Sequence, residues 1–251
     1  MTGKTHRAGG MLVSILGFAY LRQHGLLLGN VNEGLQWLIM YPFCMWGSVA
    51  SDLDHSWESC PMHDYPSKIV NKVLHAPKAV KDLMDATPIP SARRSFFYKV
   101  CDCLNASHRS WQTHSDLTLF VFMFLLMCTM EGHISSFQAV DMAIARLILT
   151  GLCLGIFAHL LLDCLTPDGI WLMGLVWLNW LLNWLGFKDV KLPRKLHFVP
   201  RGLHFFDTGG VWEQWVYKVL NIVTYIALVW LLFVTLLPSI SIHLPFEISF
   251  F

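Results

Sequence analysis

His159 and Asp163 stand four residues apart in the run GLCLGIFAHLLLDCLTPDG, residues 151–169. On a helix that spacing puts an imidazole and a carboxylate one turn apart on the same face of an otherwise apolar rod. It is a metal-ligand spacing, although such a pair alone reads more simply as a core histidine and a cap for the turn Thr166-Pro167-Asp168-Gly169. Other short polar clusters carry the same donor types: Asp52-Leu53-Asp54-His55 where an apolar stretch stops, His108 to His114 where another starts, and His6 beside the first. Imidazole nitrogens mixed with carboxylate oxygens suit zinc or another divalent first-row metal, whereas an all-oxygen set would suit magnesium or calcium. The donors outnumber what one tetrahedral ion uses. Two ions sharing a bridging carboxylate would use them, and such a pair clamps the attacking and leaving oxygens of a displacement at phosphorus or a carbonyl carbon.

Each cluster has a plain alternative: Asp52 to His55 as a helix cap and surface turn, His108 and His114 as loop histidines, Arg109 as a solvated or lipid-phosphate-facing charge. What the alternatives leave unexplained is why several polar clusters gather at the ends of apolar segments, where charges are costly and need partners.

The segments that must position these groups are those of a membrane protein. Of 251 residues, 55% are hydrophobic and 14% charged, and mean hydropathy is +0.49; a soluble domain carries roughly 25% charged residues. Eleven tryptophans agree, since Trp concentrates at membrane–water interfaces. The expected fold is an all-α integral membrane helical bundle of about five spans, over residues 11–29, 35–50, 117–130, 143–165 and 215–237, in a single domain covering 1–251. Residues 56–107 read as a polar insertion within it, two or so short amphipathic helices lying over the cytoplasmic face. The Trp-rich residues 170–187 could span, but Trp177, Trp180 and Trp184 beside Asn179 and Asn183 also suit a helix in the interface.

The net charge of +1 and the lack of a basic, aromatic-interleaved face exclude nucleic acid as a partner. Seven scattered cysteines do not read as a disulfide framework, and Cys60, His63, Cys101 and Cys103 match no standard zinc spacing. No cleavable signal peptide is expected at the start.

Threading the chain back and forth through five spans brings His6, the Asp52 cluster, the His108 to His114 cluster, the far end of the His159 helix and Glu213 to one side. Lys and Arg fall almost entirely in 1–10, 56–109, 188–201 and at Lys218, and are absent from 30–34, 131–141 and the tail after 238. By the positive-inside rule the crowded side is the cytoplasm. Were 170–187 to span, the basic run and Glu213 would leave that side, so the charge bias favours the interfacial placement.

At these residues the chain resembles the LexA-binding, inner-membrane-associated hydrolases, also described as membrane-bound metal-dependent hydrolases. The resemblance runs through Thr5-His6 before an apolar helix, Asp52-Leu53-Asp54-His55, the block from His108-Arg109 to Thr113-His114-Ser115, Ala158-His159 to Asp163 with Leu165-Thr166-Pro167-Asp168-Gly169, and a late Glu213 after Thr208-Gly209-Gly210. It departs at Ser51, at Ser110 and in one extra residue between His108 and His114. The His-x-x-x-Asp helix, the N-terminal histidine and the paired aspartates also look, more distantly, like zinc-dependent phospholipase C.

The expected function is metal-dependent hydrolysis of an ester or phosphoester at the cytoplasmic face of the inner membrane, with a membrane lipid head group as the first substrate to consider. The expected ligand pool is His6, Asp52, Asp54, His55, His108, His114, His159 and Asp163, binding a divalent metal, zinc first, as one ion or two. Asp54 or Glu213 is the candidate general base, and Arg109 and Thr113 the candidate oxyanion holders. The alternative is a non-enzymatic membrane protein whose structural metal site tethers a cytoplasmic regulatory protein, as the family's name would imply. A transporter fits less well, because the polar residues gather at helix ends and do not line a path through the spans. Substrate, metal identity and oligomeric state are not legible.

Overall fold

The computed structural model describes residues 2–29, 31–54, 65–86, 98, 101, 113–130, 139–187, 190–198 and 209–236. His55, His108, Arg109 and most of the expected insertion lie outside them. The elements run α1 (Gly3–Gln23), α2 (Glu33–Ala50), a 3-10 turn (Ser51–Asp54), α3 (Tyr65–Ala86), α4 (Asp116–Met130), α5 (Ala139–Asp163), β1 (Ile170–Trp171), α6 (Met173–Trp184), β2 (Lys195–Leu196) and α7 (Val211–Leu236). The fold is all-helical, apart from a two-residue antiparallel ladder that pairs Ile170 with Leu196 and Trp171 with Lys195.

Among the described residues two helices are long and apolar enough to cross a bilayer, Asp141–Asp163 within α5 and Val211–Phe233 within α7. The expectation of five spans is therefore not supported by them. The 11–29 stretch ends as helix at Gln23, and α1 carries Lys4, Arg7 and Arg22. Gln36, Pro42 and Ser48 dilute the apolar character of α2. At 15 residues α4 is about 22 Å long, less than the ~30 Å of a hydrocarbon core. The 12 residues of α6 reach about 18 Å, too short to cross, and expose Trp177, Trp180 and Trp184 while Asn179 turns inward to clamp both backbone groups of Leu192.

The central pair is α2 against α5, and small residues make it close. A Cβ added at Gly155 would lie 2.7 Å from the Ser48 nitrogen and nearer still to the Cys44 carbonyl oxygen, so only glycine lets the two backbones meet there. Gly151 and Gly47 continue the seam, facing Phe43 and Ile156. Beyond it, Ile15 and Phe18 of α1, Met40 of α2, Leu147 of α5, and Ala227 and Leu231 of α7 form one apolar cluster. Ile156, Leu160, Cys164 and Ile170 form a second, directly under the chemistry-bearing end of α5.

The far ends are tied by polar groups. Gln36 accepts from the Leu28 amide and donates to the Leu28 and Val31 carbonyls, closing the α1–α2 connection, where Arg22 also meets Glu33 at 2.7 Å. Arg146, near the start of α5, donates to the Thr129 carbonyl at 2.6 and 3.0 Å and to that of Met130, capping the last turn of α4. Against the 3-10 turn lies α3, whose Ser67 and Asn71 point inward: Trp46 donates to Ser67, and Asn71 donates to the Leu53 carbonyl.

Candidate metal centre

Four separate pieces of chain deliver the donors. The last turn of α5 carries His159 and Asp163 on one face, as their i, i+4 spacing requires. Where α2 gives way to the 3-10 turn, Leu53 is fully buried as an anchor, with Asp52 and Asp54 on either side of it. Residues 113–115 enter just before α4 with Thr113 and His114, and the first turns of α1 supply His6. Pinning is tight: the Trp171 amide donates to the His114 carbonyl, and Asp116 accepts from the Met173 amide, so residues 113–116 are held by the start of α6. The turn after Asp163 closes with Thr166 donating to the Asp163 carbonyl through both amide and hydroxyl. It also needs Gly169 (φ +60°), where a Cβ would press on the Leu196 carbonyl.

His159 sits at the middle. Its ring stacks on His6, centroids 3.9 Å apart and 17° from parallel, and meets His114 edge-on at 5.1 Å. Its Nδ1 lies 2.8 Å from the Ser48 carbonyl, one of the last carbonyls of α2 that have no helical partner. That nitrogen must be the donor. In a neutral ring Nε2 then carries a lone pair, and it is aimed at Asp163 Oδ2 at 3.1 Å and Asp52 Oδ1 at 3.9 Å, which are acceptors too. Lone pairs facing lone pairs in a buried site call for a proton or a metal ion between them.

The other separations point the same way. His6 Nε2 to Asp163 Oδ1 is 3.5 Å, His114 Nε2 to Asp163 Oδ2 is 3.4 Å, and His114 Nε2 to Asp52 Oδ1 is 3.5 Å. These exceed the ~2.9 Å of a good hydrogen bond, yet match the ~3.3 Å edge of a tetrahedron whose bonds are ~2.0–2.1 Å long. Two donor groups result, His6 with His159 and Asp163, and Asp52 with His114 and His159, all buried and each with its ligand atoms within 4.8 Å of one another. Neither ring nitrogen of His6 and not Nε2 of His159 makes a hydrogen bond, although all three are buried. Leaving such atoms without partners is expensive, so a cation-binding role fits the residues present.

Electrostatics sharpen the point. Burial, with His159 alongside, pushes the His6 imidazole down to about 3, so it stays neutral and available as a ligand. Burial opposes charge on His114 as well, but the Asp52 and Asp54 carboxylates 3.5 Å away and the nearby Asp163 carboxylate raise it to about 9. Asp52 is held below the ordinary carboxylate range against its burial by His159, His114 and His6. Three carboxylates facing three imidazoles leave a formal negative excess that a divalent cation offsets.

Around the donors stand the groups that orient them. Thr113 Oγ1 donates to Asp54 Oδ2 at 2.7 Å and lies 3.0 Å from His114 Nδ1, while Asp54 Oδ2 is 3.5 Å from that same nitrogen. This is the carboxylate–histidine arrangement that fixes a metal-binding imidazole's tautomer and leaves Nε2 for the ion. Glu213 belongs to neither donor group. Its Oε1 accepts from the Thr2 amide, from Thr2 Oγ1 at 2.7 Å and from Thr5 Oγ1 at 2.7 Å, and its Oε2 accepts from the Gly209 amide at 2.6 Å. It binds the first turn of α1 to the first turn of α7, one residue from His6.

Of the expected site residues, the structure thus brings together His6, Asp52, Asp54, Thr113, His114, His159 and Asp163, and it places Glu213 at the α1–α7 junction. His55, His108 and Arg109 lie outside the described residues. The sequence reading missed the Ser48 carbonyl and the glycine seam that carries it to His159, although Gly151-x-x-x-Gly155 in an apolar run is itself a helix-contact signal.

Among known proteins, a family model described as "YdjM inner membrane protein" matches residues 1–241. No curated protein and no solved structure matches the chain. The family match agrees with an inner-membrane resemblance and carries no statement about hydrolysis, zinc or LexA.

Proposed function

The chain belongs to the YdjM inner membrane protein family, and from that premise we propose that it is a metal-dependent hydrolase whose centre faces the cytoplasm and cleaves an ester or phosphoester. The observation that supports this most is the pair of buried His/Asp donor groups meeting at His159. With Nδ1 given to Ser48, His159 has one nitrogen left and serves a single ion. Asp163 has an oxygen toward each side, Oδ1 to His6 and Oδ2 to His114, which suits it to bridge two. His6, His159 and Asp163 would hold one ion, and His114 and Asp52, with Asp163 shared, the other; zinc is the metal the donor set fits best. The chemistry such an ion would supply when held there is acidity for water and polarisation of the bond under attack.

The protein's own groups do the rest. Asp54, through Thr113, holds the His114 tautomer and is the carboxylate best placed to take a proton at the centre. Thr113, whose hydroxyl proton goes to Asp54, is a positioning residue rather than an oxyanion holder; Arg109 keeps the oxyanion role as an expectation from the sequence. Glu213 is a positioning residue, fixing the α1 turn that presents His6. A membrane lipid head group is the substrate class that a site at the end of a membrane helix meets most readily.

A second reading has its own support: His6 and His159 are 0% exposed and His114 and Asp163 1%, as a closed structural site requires. In that reading the ion locks the bundle and the protein tethers a cytoplasmic regulatory protein. Coordination number separates the two, since a catalytic ion keeps one position for water.

The test is elemental analysis of the purified protein beside His159→Ala and Asp163→Ala, with X-ray absorption for coordination number and a lipid and phosphoester panel with and without chelator. Bound metal in the wild type, lost from both variants, and chelator-sensitive hydrolysis are expected. Metal content unchanged in both variants would end the proposal.

A further inference from the structure

The basic run within 188–201 contains a second feature beside the metal centre. Residues 190–198 fold back onto β1, where the Leu172 amide donates to the Arg194 carbonyl and the Phe198 amide donates to the carbonyl of Cys164, the residue after Asp163. Trp171, paired with Lys195, donates its own amide to the His114 carbonyl and bridges to Ser115. The basic segment is therefore suspended from the same backbone that carries two metal donors. Two interstrand spacings of ~4.8 Å put Lys195 roughly 10 Å from residues 114–115.

A groove of about 410 Å³ opens there, lined by Trp171, Pro193, Arg194, Lys195 and His197. Its lining joins apolar Trp171 and Pro193 to cationic Arg194 and Lys195. Lys195 Nζ sits 4.7 Å from the centroid of the Trp171 ring, which holds its stem against that lining. Among the described residues no carboxylate pairs with Arg194 or Lys195. The Nδ1 of His197 is buried and makes no hydrogen bond. Arg194 and Lys195 lining one concavity, with no carboxylate to neutralise them among the described residues, call for an anion with several acceptor oxygens, and a guanidinium matches phosphate in a bidentate fork.

We propose that this groove is an anion subsite for a phosphate group of the substrate, separate from the bond cleaved at the His/Asp centre. The phosphate is carried either by a lipid head group or by a soluble phosphoester. The assignment rests on the hydrolase reading only for the word substrate; the groove's affinity for phosphate stands or falls by itself.

The test uses the full-length protein in detergent and in nanodiscs. Inorganic phosphate is titrated by equilibrium dialysis, and retention of phosphatidylglycerol over phosphatidylcholine is measured from mixed nanodiscs, while metal content is read on the same samples. Wild-type protein is expected to bind one probe or both, and Arg194→Gln/Lys195→Gln to lose at least tenfold in that binding with its metal content intact. The charge-preserving pair Arg194→Lys/Lys195→Arg keeps most of it, which guards against misfolding as the cause. Binding of phosphate alone identifies the soluble source, and selective retention of phosphatidylglycerol alone identifies the head group. His159→Ala should lose metal and keep the charge-dependent binding. If the neutral pair binds both probes as the wild type does, or if His159→Ala abolishes binding that the neutral pair leaves unchanged, the subsite is refuted while the hydrolase stands. A wild type without metal that still binds phosphate through Arg194 and Lys195 refutes the hydrolase and leaves the subsite.

Discussion

Replacing Gly155 by alanine adds one methyl group to the helix seam, and its effect can be followed from there to the metal. The new Cβ would lie 2.7 Å from the Ser48 nitrogen and 2.9 Å from the Gly47 carbonyl carbon, against a favourable separation of ~3.5 Å for such atoms. Its neighbours are backbone, which cannot swing aside, so α2 and α5 must part by roughly 1 Å. Overpacking of this kind costs about 1–3 kcal/mol. The same movement takes the Ser48 carbonyl away from His159 Nδ1, stretching a 2.8 Å hydrogen bond beyond bonding range. Losing the partner that orients a metal-binding histidine lowers metal affinity by about 10–100-fold. The measurement is competition with a chromophoric chelator on Gly155→Ala and on Gly29→Ala, whose added Cβ meets nothing within 4 Å. Thermal melting of both proteins reports the packing term. Wild-type metal affinity in Gly155→Ala, together with an unchanged melting point, would show that the seam does not set the geometry of the centre.

Other consequences are equally direct. Thr113→Val removes the hydroxyl between His114 and Asp54 while keeping its shape, and should cost about 1–3 kcal/mol in stability and about tenfold in metal affinity; equal affinity in the competition assay would deny Thr113 that role. Glu213→Gln puts a donor where four donors now converge, so it should lower the melting temperature and loosen His6, seen as faster metal release with metal stoichiometry retained. With the metal removed, the raised pKa of His114 stabilises the fold fully below its unfolded value near 6.5, and that contribution is lost as pH climbs through about 9. Metal must displace the same proton, so apparent affinity should rise across that window by up to tenfold per pH unit. A flat profile of both quantities between pH 6.5 and 9 would contradict the assignment. Gly169→Ala meets both a left-handed backbone and the Leu196 carbonyl, and should destabilise by more than the ~1 kcal/mol of an ordinary glycine replacement; an unchanged melting point would refute this.

The donors were legible because their types are rare in apolar surroundings. A histidine such as His159 or a pair such as Asp52 and Asp54 at the end of an apolar run has few reasons to be there, and the i, i+4 spacing of His159 and Asp163 fixes their common face before any tertiary structure is known. The number of spans was not legible, because length and polarity at the edges of apolar runs decide it. Arg22 and Gly25 end α1 before residue 29 while its start shifts back into the polar Gly3 to Gly10, and α4 stays at 15 residues, so runs that look like spans in one dimension become helices too polar or too short to pass as spans. Glu213 was ambiguous for a different reason. A buried carboxylate near other donors looks the same in sequence whether it meets a cation or the amide and hydroxyls of Thr2 and Thr5, and only the placement of α1 against α7 distinguishes the two. The orienting carbonyl of Ser48 leaves no side-chain signature at all.

The capping arginine on α5 has a consequence for the lipid around it. Arg146 and His159 are thirteen residues apart on one helix, a rise of about 20 Å, and the turns between them carry no charged residue. An average hydrocarbon layer is ~30 Å thick. If α5 crosses it along its length, either one polar end is drawn several ångströms beneath the head groups or the surrounding leaflets are compressed, at fractions of a kcal/mol per ångström. Short-chain lipids relieve that mismatch and long-chain lipids aggravate it, so the acyl length of the host membrane is a variable to which this protein is mechanically tuned.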